Sequence, residues 1–280
     1  MKVFDKAVII GTGLIGGSLG KALKDRRMVS CIYGLSRNRR NAVTAKKTGA
    51  IDQIGESLDV VKEADLVVLA TPVDTILGIA AKIAKKVKKG CVVIDVGSTK
   101  EEIVNEAGRL IPNFVGCHPL SGSEKRGIAN IRKDIFKGAV CIITPAPGTK
   151  KDALSRVSAL WKGLGSSVVR LSPPEHDRVV AFTSHMPHAV AFALISSVPD
   201  RFLSLGAGGL KDSTRISASD AGLWASIFLS NRANILSSLS VFQDKLAFLK
   251  LALRKKDGKL LKKFLSRASV KRGKLDDHSY

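Results

Sequence analysis

The stretch AVIIGTGLIGGSLG, residues 7–20, constrains this chain more than any other. A short apolar run ends in glycines, and a helical pattern over 14–25 opens inside them. A strand that turns directly into a helix through Gly-x-Gly-x-x-Gly is the first βα unit of a doubly wound sheet. Each glycine has a task there. Gly11 permits the tight turn, Gly13 lets the backbone approach a pyrophosphate, and Gly16 lets helix and strand pack closely. The helix start then presents unpaired N–H groups to phosphate. Gly11, Thr12, Gly13, Leu14, Ile15 and Gly16 are therefore the expected nucleotide-binding residues.

The pattern continues in the same sense. Strand-like runs at 31–35, 50–54, 65–70, 92–96 and 114–117 alternate with helical segments over 40–48, 74–87 and 100–110. Apolar strands separated by helices imply parallel βαβ units covered on both faces. Runs at 139–144 and 167–171 flank a further helix over 151–163. At SPPEHD, residues 172–177, prolines stop the pattern, and Ser172 or Asp177 can cap a new helix. Beyond it the periodicity is helical only: a long apolar helix over 179–198 kinked at Pro187, and at least one more within 221–253. The expected fold is α/β, a Rossmann-type, mostly parallel sheet domain over 1–172 followed by an all-helical domain over 173–280. Residues 189–198 are apolar nearly all round and need more cover than one small helical domain supplies. Burial against a second copy, as a homodimer through the helical domain, is the expected cover.

Charge narrows the partners. Lys and Arg number 46 against 24 Asp and Glu, a net charge of +22, which draws anions. Much of it lies in 254–274, where Leu260, Leu261, Phe264 and Leu265 suggest a basic amphipathic last helix. This segment reads as a solvated helix face rather than a nucleic-acid patch. No run of eighteen apolar residues suggests a membrane span. Cys31, Cys91, Cys117 and Cys141 are scattered without a CxxC, and the start carries no cleavable signal pattern. Reduced cysteines in a cytoplasmic protein, and no metal, are expected.

The second strand bears on the dinucleotide. Where an NAD site places an acid for the ribose, this chain has Ser36 followed by Arg37. A hydroxyl and a guanidinium suit a 2′-phosphate, so NADP is favoured over NAD. Thr71 and Pro72 end one strand at the carboxyl edge of the sheet, the loop holding Ser98 ends the next, and His118 follows a third. Ligands of open α/β sheets bind at that edge. A histidine there can take a hydroxyl proton at neutral pH. His176 falls in the boundary turn, whereas His185 and His188 lie in the motif SHMPH. Arg215 follows a glycine-rich turn and can fork onto a carboxylate, or pair with Asp212 on a helix surface.

In order along the chain stand GTGLIGGSLG, DVGSTK, GCHPLSGSEKRG, SPPEHD, SHMPHAVAFAL and GLKDSTRISASDAGLW. With these motifs the chain resembles the prephenate and arogenate dehydrogenases of tyrosine biosynthesis over nearly its whole length. The resemblance implies oxidative decarboxylation of a cyclohexadienol dicarboxylate. Prephenate would give 4-hydroxyphenylpyruvate, and arogenate would give tyrosine. It implies that His118 takes the ring-hydroxyl proton and that Ser98 orients that hydroxyl. It also implies that Arg215 binds a substrate carboxylate and that His188, Ser184, Ser123 and Glu124 line the substrate pocket. A homodimer is implied as well. Two other readings stay open: a Rossmann dehydrogenase using Lys211 as acid or base, and a non-catalytic NADP-binding regulator.

Overall fold

The computed structural model describes residues 2–121 and 127–275. Ser123 and Glu124 lie outside the described residues. Eight strands form one sheet: β1 (Phe4–Ile10), β2 (Val29–Leu35), β3 (Gln53–Ile54), β4 (Leu66–Leu69), β5 (Val92–Asp95), β6 (Phe114–Pro119), β7 (Val140–Pro145) and β8 (Ser167–Arg170). Their spatial order is β3-β2-β1-β4-β5-β6-β7-β8. Neighbours run parallel except β6 and β7, which pair antiparallel with His118 opposite Ile142. Strand order reverses between β1 and β4, and that is where a doubly wound sheet opens its crevice.

Alternation along β1 builds both cores. Ala7 and Ile9 point into a cluster with Leu19 and Leu23 of α1 (Leu14–Asp25) and Val157, Leu160 and Trp161 of α5 (Lys151–Gly163). Val8 and Ile10 point to the other face, onto α3 (Val73–Ala84) and α4 (Glu101–Leu110). A one-residue register slip would exchange the two faces, so the apolar pattern fixes the register. The short α2 (Arg39–Lys47) is capped by Asn38, whose side chain accepts from the Arg40 amide at 3.0 Å.

After β8 only helices follow among the described residues: α6 (Pro173–Val180), α7 (Met186–Ser196), α8 (Gly208–Thr214), α9 (Ala221–Ser230), α10 (Arg232–Arg254) and α11 (Gly258–Gly273). The SPPEHD segment starts α6, and of the two expected caps it is Ser172 that serves. Ser172 Oγ accepts from the Glu175 amide at 3.4 Å, and the prolines sit in the first turn, where their missing N–H groups cost nothing. Pro187 does not simply kink a long helix. A π-helical turn, Ala181–His185, precedes it, and the wider turn accommodates a ring that would collide with the carbonyl four residues back.

By length and composition, the continuous run Pro173–Ser196 is apolar enough to cross a membrane. However, its His176, Asp177 and His185 are buried against the rest of the protein. The run also carries exposed apolar side chains. Val179, Phe182 and Leu194 on this run, and Leu236, Val241 and Leu251 on α10, are exposed.

Candidate active site

The first part of the site is the glycine turn after β1. Gly11 has φ +103°, and a Cβ on it would lie 2.4 Å from the Ala70 carbonyl oxygen, so the crossing to β4 tolerates only glycine. A Cβ on Gly16 would meet the Gly11 carbonyl at 2.0 Å. Gly13 differs: no heavy atom lies within 4 Å of where its Cβ would stand. It is the cap residue of α1, and no side chain caps that helix start. Open ground in front of uncapped amides fits a dinucleotide pyrophosphate. Thr12 is fully buried, its methyl against Gly34, and Leu14 and Ile15 pack on the core. Thr12 therefore offers the crevice its backbone, whereas Leu14 and Ile15 are half-buried. Ser36 and Arg37 follow β2, whose Leu35 carbonyl accepts from the Gly11 amide at 2.8 Å. Ser36 is half-buried and Arg37 exposed. Pro72 caps α3, and Thr71 Oγ1 lies 2.9 Å from Thr75 Oγ1.

The second part lies under the ends of β5 and β6. Asp95 and Lys100 are both fully buried and form an ion pair. The Lys100 ammonium also donates to the Thr99 carbonyl at 2.9 Å, and Asp95 Oδ2 accepts from the Gly97 amide at 2.8 Å. Burial pushes the Asp95 carboxyl up, against the pull of Lys100. This pair shapes the loop that carries the half-buried Ser98. Thr99 Oγ1 joins the same loop to Ser230 Oγ of α9 at 2.8 Å. Replacing Lys100 by Met is expected to cost about 3–5 kcal/mol, because a buried carboxylate is left unpaired. Urea denaturation measures this, and an unchanged midpoint would show that Asp95 is uncharged.

His118, near the end of β6, is partly exposed. Its Nδ1 lies 2.8 Å from Nε2 of the buried His176, and His176 Nδ1 lies 2.7 Å from Asp177 Oδ1. Asp177 does not cap its own helix. Its two oxygens accept from the Lys100 amide at 2.8 Å and the Glu101 amide at 2.9 Å, which caps α4 from across the domain boundary. Desolvation, then the nearby His176, Lys100 and His185, holds the His118 ring well below the ordinary histidine value. Burial and Lys100 take His176 down to about 2, and burial takes His185 to about 4.

The remaining candidates surround α7. His188 Nδ1 donates to the Ser184 carbonyl at 2.9 Å, and its ring stacks on Trp224 at 3.6 Å and 22°. Burial lowers its basicity, and the charge of Arg215 lowers it further. His185 lies against Trp224 edge-on and bonds Asn231, whose amide also donates to the Asp177 carbonyl at 2.7 Å. The structure thus links His118 to residues that sequence reading set aside. His176 reads from the sequence as part of a boundary turn and Asp177 as a candidate helix cap, and Trp224 and Asn231 carry no sequence signal of their own. The available signal was Ser172 with Glu175 three residues on, which starts a helix and carries the next two residues into it.

A glycine cradle on a doubly wound sheet, with a histidine held at its carboxyl edge under a helical domain, defines a two-domain, dinucleotide-dependent dehydrogenase. Residues 19–170 match the nucleotide-binding domain of prephenate dehydrogenase, and 172–267 match its dimerization domain. The chain therefore belongs to the prephenate dehydrogenase family. It is 37% identical over 243 residues to a prephenate dehydrogenase of Bacillus subtilis, covering 83% of this chain and 66% of that one. It is 33% identical to a cyclohexadienyl dehydrogenase of Zymomonas mobilis, covering 93% and 92%. A crystal structure of prephenate dehydrogenase from A. aeolicus with hydroxyphenyl propionate and NAD+ superposes with a TM-score of 0.92 at 34% identity, covering 97% and 98%.

Proposed function

We propose that the protein oxidises and decarboxylates prephenate to 4-hydroxyphenylpyruvate, in tyrosine biosynthesis. The observation that carries this reading is His118. It stands at the carboxyl edge of the sheet with one ring nitrogen tied to a buried partner and the ring partly exposed. When bound, a nicotinamide dinucleotide supplies the hydride acceptor. His118 Nε2 takes the proton of the ring hydroxyl, and Ser98 orients that hydroxyl. Arg215 binds a substrate carboxylate from the helical side. His188, held by the Ser184 carbonyl and the Trp224 ring, forms the pocket wall. Ser123 and Glu124 are assigned to the side-chain end of the substrate by resemblance alone. The net charge of +22 suits a dicarboxylate and an anionic cofactor.

NADP is placed ahead of NAD, since Ser36 and the exposed Arg37 stand where an NAD site carries an acid. The A. aeolicus relative was crystallised with NAD+. Arogenate is the second substrate to consider, because the Zymomonas mobilis relative is named for the wider cyclohexadienyl class. Steady-state assays crossing prephenate and arogenate with NADP and NAD test both choices. The highest kcat/KM is expected for prephenate with NADP. A strong NAD preference would remove Arg37 from the site, and an arogenate preference would replace the substrate.

The exposed apolar side chains of the 173–196 run and of α10, on a segment that matches a dimerization domain, support a homodimer through the helical half. Four unpaired cysteines, three of them buried, fit a cytoplasmic enzyme. No role for membrane or nucleic acid is proposed.

A further inference from the structure

We infer that His176 and Asp177 are positioning residues that fix the ring tautomer of His118, and so decide which of its nitrogens faces the substrate hydroxyl. This rests on the reading of His118 as the base. The proton order follows from one end of the chain to the other. Asp177 accepts amide N–H groups on both oxygens, from Lys100 and Glu101; these bonds favour the ionised carboxylate, and an ionised carboxylate only accepts. His176 Nδ1, 2.7 Å from Asp177 Oδ1, must therefore carry a hydrogen. The ring is fully buried close to Lys100, which keeps it neutral, so its Nε2 holds a lone pair. His118 Nδ1 is 2.8 Å from that lone pair and must donate to it. The lone pair of His118 is then on Nε2, the nitrogen away from His176.

The arrangement resembles an acid–imidazole pair with a second imidazole inserted. When the substrate O–H bond breaks and the His118 Nε2–H bond forms, the ring becomes a cation. Its Nδ1–H stays bonded to His176, and the charge is stabilised through His176 by the Asp177 carboxylate. The other charged or titratable groups facing His118 are Lys100, which precedes α4, and His185 in the π-helical turn. The Lys100 ammonium opposes the cation, and His185, held down to about 4, is uncharged there, so the stabilisation falls to the His176–Asp177 arm. Without that arm either tautomer of His118 is allowed, and one of them turns an N–H toward the hydroxyl.

Two measurements test the inference. In protein labelled with 15N-histidine, the His118 signals, assigned by their loss in His118→Asn, are expected to show hydrogen on Nδ1 at neutral pH. Hydrogen on Nε2 would overturn the inference even if the enzyme were fully active. In the second, His176→Phe keeps a ring and removes its nitrogens. Its kcat for prephenate is expected to fall about 10- to 100-fold, with substrate KM unchanged and the acid limb of the kcat profile moved to lower pH. His176→Gln, which restores an acceptor, is expected to recover part of the loss. Wild-type kcat and pH profile in His176→Phe would overturn the inference. Full activity in His118→Asn would instead overturn the reading of the base, so the two failures are distinct.

Discussion

Replacing His118 by Asn is expected to lower kcat for prephenate by about 10²- to 10⁴-fold, the usual worth of a positioned general base. Dinucleotide binding should persist. The cradle at Gly11, Gly13 and Gly16 belongs to β1 and α1, whereas His118 ends β6, three strands further along the sheet. Asn also keeps a polar group close to where Nδ1 meets His176, so little rearrangement is expected. Stopped-flow turnover with a parallel titration of the cofactor separates the two effects. If turnover were unchanged, proton removal would have to be assigned to another group.

The second expectation concerns acid. His118, His176 and His185 are all held below the ordinary histidine value, chiefly by burial, and His188 is lowered as well. The unfolded chain takes up these protons near pH 6.5, whereas the folded protein refuses them. Stability is therefore fully present above about 6.5 and falls as pH drops toward the folded values, by about 1.4 kcal/mol per pH unit for each proton. His185, titrating at about 4, alone accounts for about 3 kcal/mol across that window. Burial pushes Asp95 and Asp177 up, and these work in the opposite sense. Four rings against two carboxyls leaves the histidine direction dominant. Calorimetric melting at pH 7, 6, 5 and 4.5 should show a steady fall in Tm. A flat Tm over that range would show that the cluster already carries protons at neutral pH.

Much of the sheet was legible because its signals are local. An apolar run followed by a helical period names a βα unit without any distant contact, and this holds for β1, with its glycines, and for β4 and β5. The antiparallel step at β6 and β7 was not legible, since strand direction there depends on how the chain between them returns. In the site, Gly11 and Gly16 could be read because their spacing at a strand-to-helix turn is a local pattern, although the clash that requires Gly11 comes from Ala70 on the neighbouring strand end. His118 could be singled out by its loop and by resemblance. His176 and Asp177 could not, since their meaning comes from β6 and α4, which lie 58 and 77 positions away in sequence for their respective contacts. Ser172 could be read as a helix cap, but the prolines left open whether the helix started there or at Asp177. The buried Lys100 was hidden for a different reason: a lysine in a sequence reads as surface until its partner Asp95 is placed beneath it.

Asp177 stands in the helical half yet closes the amide end of α4 in the sheet half. In evolutionary terms this makes the two halves poor candidates for exchange. A recombinant joined near residue 171 would inherit its nucleotide cradle and His118 from one parent and the orienting His176 and Asp177 from the other. A shift of one position in the start of α6 would turn those two side chains to another side of the helix. Such a hybrid could fold and hold nucleotide while its histidine stayed unoriented, so lineages of this fold are expected to pass on the two halves together.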